Sequence, residues 1–105
     1  MFKFKEAILD DLAKREIRKA FVYYFKRSPD AASRFASEVS EAIGKVENQA
    51  ASFPSYMAGA KRCLLDKFEY MVIFQEYPTY VYIVAVSHCK RRPGYWAGRL
   101  KRRRG

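Results

Sequence analysis

The residues with the most chemistry to offer lie late in the chain. The stretch "VAVSHCKRRPGYW", Val84 to Trp96, passes the only histidine, His88, and one of two cysteines, Cys89. It then enters a run of cations, Lys90, Arg91 and Arg92, and ends on Tyr95 and Trp96. Arg62 is a further cation set in a strand-like run, "KRCLL". Such a group binds phosphates through its cations and stacks bases on its rings. It can equally dock an acidic protein segment. Each residue also has a plainer role. Trp96 suits a packing lid over a small core. His88, just past an apolar strand, suits a hydrogen-bonded structural residue as well as a general base. Cys89 and His88 are strand neighbours and point to opposite faces, so they make no nucleophile–base pair.

Other chemistries are excluded by what is missing. There is no glycine-rich phosphate loop, no HExxH and no CxxC pair, so no nucleotide or zinc fingerprint. One histidine with Cys63 and Cys89, 26 positions apart, makes no standard zinc site, and both thiols are expected reduced. No metal and no cofactor is expected. The N-terminal "MFKFKEAILDD" has charges where a signal peptide needs its apolar core, and no run is long enough to span a membrane; the expected compartment is the cytoplasm, with no membrane partner.

The net charge of +10 is placed unevenly. Of the 21 Lys and Arg, eight fall from Lys90 onward with no acid among them. The other thirteen face all eleven acids, a net of only +2 over the first 89 residues. The positive field therefore belongs to the C-terminal segment, and it predicts association with polyanions or an acidic partner that weakens as salt rises.

The elements that must position these side chains follow from periodicity. Phe2 and Phe4 alternate with Lys3 and Lys5, a strand period. From about Asp10 the period becomes helical through Leu12, Ile17, Phe21, Tyr24 and Phe25. Ser28-Pro29-Asp30 reads as a cap, a first-turn proline and a dipole-matched acid, opening a second helix with Ala32, Phe35, Val39, Ala42, Ile43 and Val46 on one stripe that fades near Asn48. A loop with Phe53-Pro54 and Gly59 precedes strand-like runs at 61–65, 70–74 and 80–86, the last two joined by "QEYPT". The order is βααβββ. The expectation is an α+β fold: a small twisted antiparallel sheet packed against a helical hairpin, one domain over 1–96 with a basic tail over 97–105. Antiparallel strand ends would bring Arg62 and the 90–92 run onto one patch.

Taken together, "RSPDAASRFASEV", "FPSY", "KRCLLDKFEYMVIF" and "VAVSHCKRRPGYW" resemble, in order and spacing, the RelE/ParE superfamily of bacterial type II toxin–antitoxin toxins, from about Phe4 to Tyr95. The resemblance implies the same βααβββ fold and a small antitoxin whose acidic, amphipathic segment covers the toxin. It also implies one of two mechanisms. RelE-like members are metal-independent, ribosome-dependent mRNA endonucleases, whose cations and Tyr polarise the scissile phosphate, activate the 2′-hydroxyl and stabilise the leaving oxygen. ParE-like members inhibit DNA gyrase by binding. On the nuclease pattern Arg62, Arg91 and Tyr95 carry over, with His88 and Lys90 as further catalytic candidates; Met71 and Cys89 stand where that branch has two arginines. One missing transition-state cation costs about 3 kcal/mol, a hundredfold or more in rate. The V-x-H-x-x-R-x-P pattern from Val86 to Pro93 is also similar to ParE-like members. The expectation is therefore a toxin acting by binding, with gyrase as target and Arg62, Lys90, Arg91, Arg92, Tyr95 and Trp96 as the contact residues. The alternatives are ribosome-dependent mRNA cleavage and a non-toxic nucleic-acid-binding module.

Overall fold

The computed structural model describes residues 4–104. The first strand, β1, is Glu6–Leu9, later than the Phe2 to Lys5 alternation implied. Phe4 is well exposed, and Phe2 and Lys3 lie outside the described residues. Two helices follow, α1 (Asp11–Phe25) and α2 (Pro29–Gln49). Asp10 caps α1 by accepting from the Leu12 N–H, and Ser28 caps α2 by accepting from Ala31, with Pro29 in the first turn as its fixed φ allows. After a 3-10 turn at Ala50–Ser52 come β2 (Ser55–Met57), β3 (Ala60–Leu64), β4 (Tyr70–Glu76), β5 (Tyr80–His88) and a final helix, α3 (Ala97–Arg104).

The five strands form one sheet in the order β1-β5-β4-β3-β2. This α+β arrangement corrects the expected sheet in two respects. β1 pairs with β5 in parallel, Glu6 opposite Tyr80 through Leu9 opposite Ile83, so the sheet is mixed rather than antiparallel. The helical hairpin supplies the long crossover that a parallel pair requires. The fifth strand, β2, lies in what reads as loop. It turns into β3 through Ala58 and Gly59, both at positive φ (53° and 78°), the backbone of a tight two-residue hairpin.

The sheet is covered on both faces. On one, the hairpin packs Phe35, Val39 and Val46 against Val72, Phe74, Ile83 and Val86. Phe35 is fully buried among the rings of Tyr24, Phe68 and Tyr70, with centroids 5.2–5.4 Å away. On the other face Trp96 and Leu100 close over Met71, Ile73, Val84 and Ala85. The segment expected as a basic tail thus folds back as α3, with Leu100 only 3% exposed. A register shift opposite Ile73 and Phe74 lets β5 carry both Val84 and Ala85 toward that second face.

Candidate functional site: the free edge of β5

β1 ends opposite Ile83, whereas β5 continues to His88. Its outer edge from Val84 onward therefore presents backbone groups that no strand satisfies. An unpaired edge is a template for other chains and is costly to bury bare. Here side chains fill it. The Val86 N–H donates to Glu16 Oε1 at 3.0 Å, and Arg99 Nη1 donates to the Val84 carbonyl at 2.9 Å. The two side chains also pair with each other, Arg99 Nη2 to Glu16 Oε2 at 2.9 Å and Nη1 to Oε1 at 3.1 Å. Burial pulls the Arg99 guanidinium down, but the Glu16 hydrogen bonds and charge outweigh it and the net shift is upward.

The same carboxylate organises the residues singled out in the sequence. Tyr95 donates its hydroxyl to Glu16 Oε2 at 2.6 Å, and Arg91 Nη1 lies 3.6 Å from that oxygen. The Arg91 guanidinium stacks on the Tyr95 ring, 3.7 Å from its centroid, with Arg99 further out at 5.2 Å. Burial and the hydrogen bond to Glu16 both push the Tyr95 phenol up. Glu16 had no signal in the sequence: a lone acid among Lys14, Arg15, Arg18 and Lys19 reads as one more solvated helix charge.

His88 projects toward the hairpin, its ring edge-on to Tyr70 at 5.0 Å. Its Nδ1 accepts from the Lys90 N–H at 3.1 Å, which places the proton of the neutral ring on Nε2. Lys90 is exposed, its Nζ 3.9 Å from Glu69, as is His88 Nε2. Arg92 is exposed and has no ion-pair partner among the described residues.

Arg62 and Trp96 stand apart from the Glu16 cluster. Arg62 lies on β3, two strand positions from β5, a separation of about 10 Å. Its guanidinium stacks 4.3 Å over Tyr56 and touches the Met71 sulfur at 4.0 Å on the face away from the hairpin. Arg91 turns to Glu16 at the free edge of β5, while Arg62 is near enough to Cys89, beside Lys90, to act on its thiol electrostatically. Trp96 is 1% exposed, packed in the second core with Tyr56 at 6.5 Å; its ring is a lid and offers no face to a partner. Cys63 is buried and Cys89 exposed, both free thiols. Burial pushes both up, and Glu69 adds to the shift at Cys89 while Arg62 opposes it. Among the described residues no group of three His, Cys, Asp or Glu is placed to hold a metal ion.

Comparison with known proteins places the fold. The family model described as the ParE toxin of the type II toxin-antitoxin system, parDE, matches residues 7–93. The chain belongs to the ParE toxin family. The match ends just short of Tyr95, so the ParE-family core contains Glu16, Arg62 and the 90–92 run, while Tyr95, Trp96 and α3 lie beyond it. A solved structure, the chromosomal ParDE toxin–antitoxin system from P. aeruginosa, superposes with a TM-score of 0.71 over 81% of this chain and 96% of that one. At 13% identity it speaks for the shared fold. No curated protein matches the chain in sequence. No described helix is long and apolar enough to cross a membrane.

Proposed function

We propose that this ParE-family toxin acts by binding, with DNA gyrase as its target, and that a cognate antitoxin neutralises it in the cytoplasm. The observation that carries the reading is the commitment of Tyr95. Its hydroxyl, the group a metal-independent ribonuclease would use on the scissile phosphate, is held at 2.6 Å by Glu16 with Arg91 folded onto its ring. Met71 is 95% buried and neutral at one arginine position of the nuclease pattern, and Cys89 occupies the other. At about 3 kcal/mol for each missing transition-state cation, RNA cleavage would be slowed by several orders of magnitude.

The exposed cations left outside the Glu16 cluster, Lys90, Arg92, Lys101 and Arg102, favour an acidic partner, which is the charge an antitoxin segment would bring. The likeness to a solved toxin–antitoxin system supports that partner. The test is made in cells: on induction, DNA damage with filamentation should precede any fall in protein synthesis. Translation arrest as the first event would refute gyrase as target.

Ribosome-dependent mRNA cleavage is the second reading. His88, Lys90 and Arg91 within one turn, with the His88 tautomer fixed by the Lys90 amide, favour it. Message cut on programmed ribosomes by the purified toxin would establish it.

A further inference from the structure

A cleft of about 210 Å³ opens on the hairpin side, between α1 and the end of β5. Its walls are Lys19 and Tyr23 from α1, Tyr70 from β4, and His88 and Arg91 from the end of β5. Glu16 is the one acid in the lining, and the two Arg99 hydrogen bonds already answer its charge. The field that reaches solvent is then set by Lys19 and by Arg91, whose side chain is 55% exposed while its Nη1 stays 3.6 Å from Glu16 Oε2. Neighbouring contacts hold the rings in place. Tyr23 is half exposed, with the Arg27 guanidinium 3.8 Å over its ring, and His88 is set edge-on against Tyr70. His88 carries its neutral-form proton on Nε2, which lies 3.9 Å from the Glu69 carboxylate. The same two elements continue the positive surface through exposed Arg15 and Arg18 on α1 and Lys90 and Arg92 in the turn.

We propose that this cleft is a nucleotide subsite. It takes one nucleoside phosphate unit, the base against the Tyr23, Tyr70 and His88 rings and the phosphate on Lys19 and Arg91. Cations paired with accessible rings are the general means of holding unpaired nucleic acid without sequence preference. The cleft is smaller than the roughly 300–1,000 Å³ of sites that engulf a drug-sized ligand, so neighbouring nucleotides of a strand would lie outside it, along the flanking cations. A duplex, whose bases are stacked, does not present this unit. The subsite uses neither Arg62 nor the Met71 and Cys89 positions, and two of its walls come from α1. It goes beyond the gyrase reading and does not depend on it. Glu69 opposes it: its carboxylate, 3.9 Å from both His88 Nε2 and Lys90 Nζ, sets a negative charge beside the His88 ring that repels an approaching phosphate.

The test is fluorescence anisotropy of a labelled six-residue oligothymidylate with the full chain at low salt, no gyrase present, so its failure leaves the gyrase reading untouched. Saturable binding is expected, with a log–log salt slope of about −0.7 for the one phosphate in the cleft, steeper by about −0.7 for each neighbouring phosphate that a flanking cation meets. Lys19→Gln, which removes one of the two cations on that phosphate, should weaken binding and make the slope shallower. Tyr23→Ala should weaken binding about tenfold or more, as loss of one stacked base does. Glu69→Gln should tighten binding. Lys19, Tyr23 and Glu69 are exposed, and unchanged thermal melting of each variant would separate lost binding from lost fold. Competition by thymidine monophosphate distinguishes the sources: displacement at similar concentration per phosphate makes the ligand a free nucleotide, weak displacement makes it a strand. No saturable binding, or variants that bind like the unmodified chain, would overturn the proposal. So would a hexaglutamate peptide displacing the oligonucleotide equally well, since the cleft would then take acidic peptides.

Discussion

Replacing Glu16 by Ala removes, at one atom pair, the acceptor for Val86, Tyr95 and both Arg99 nitrogens. The Glu16 and Arg99 side chains are only 14% and 11% exposed, so solvent replaces little of what is lost. Breaking a buried pair from one side costs about 3–5 kcal/mol, because the remaining charge stays desolvated. Arg99 keeps one partner, the Val84 carbonyl, which argues for the lower end, about 3 kcal/mol. For a domain near 100 residues, at about 5 °C per kcal/mol, that is a fall in Tm of about 15 °C. Urea denaturation with an unchanged m-value is the assay. Arg99→Met should also destabilise, and the double variant should cost at least about 1 kcal/mol less than the two single changes added together, since each single change strands the other charge. A Glu16→Ala cost below about 1 kcal/mol, or strict additivity in the double variant, would refute the claim that this pair closes the edge of β5.

Further outcomes follow from other contacts. Hydrogen bonds from Lys5 and Lys61 hold the Glu76 carboxyl below the usual range. Its stability contribution is therefore complete above the unfolded carboxyl value of about 4.3 and is lost as pH falls through the folded one. Glu76→Gln should make the acid limb of the stability curve shallower below about pH 4. Tyr95 has the opposite sign: its raised phenol contributes fully below about pH 10 and less as pH climbs through the folded value, so Tyr95→Phe should flatten the alkaline limb. Trp96 as a lid predicts blue-shifted emission and poor quenching by iodide in the native protein, with Cys89 labelled by a thiol reagent well before the buried Cys63. Ala58 holds φ of 53° in the β2–β3 turn, so Ala58→Gly should stabilise by about 1 kcal/mol in urea melts.

What could be read from the sequence was local. Ser28 and Pro29 announce the start of α2 because capping depends on neighbours a few positions away. The Val- and Tyr-rich runs at β4 and β5 declare themselves for the same reason. The parallel seating of β1 was not readable, since no residue in Glu6–Leu9 encodes which strand, distant in sequence, it will join. β2 escaped because its turn uses Ala58-Gly59 instead of the Asn-Gly or Asp-Gly that marks such hairpins. In the site, the residue types were visible but their mutual placement was not. Arg62 and Arg91 look alike along the chain, and only the fold shows that Arg91 pairs with Glu16 while Arg62 stacks on Tyr56. Glu16 looks incidental, yet it organises the region, because its role exists only where β1 stops short of the end of β5.

The direct test of the binding account is plasmid supercoiling by purified gyrase, run with and without the toxin and with an Arg91→Ala, Arg92→Ala variant. Micromolar toxin should leave the plasmid relaxed or trapped as cleaved complex, and the double variant should lose most of that effect. Undiminished supercoiling at those concentrations, alongside cleavage of message on programmed ribosomes, would contradict it.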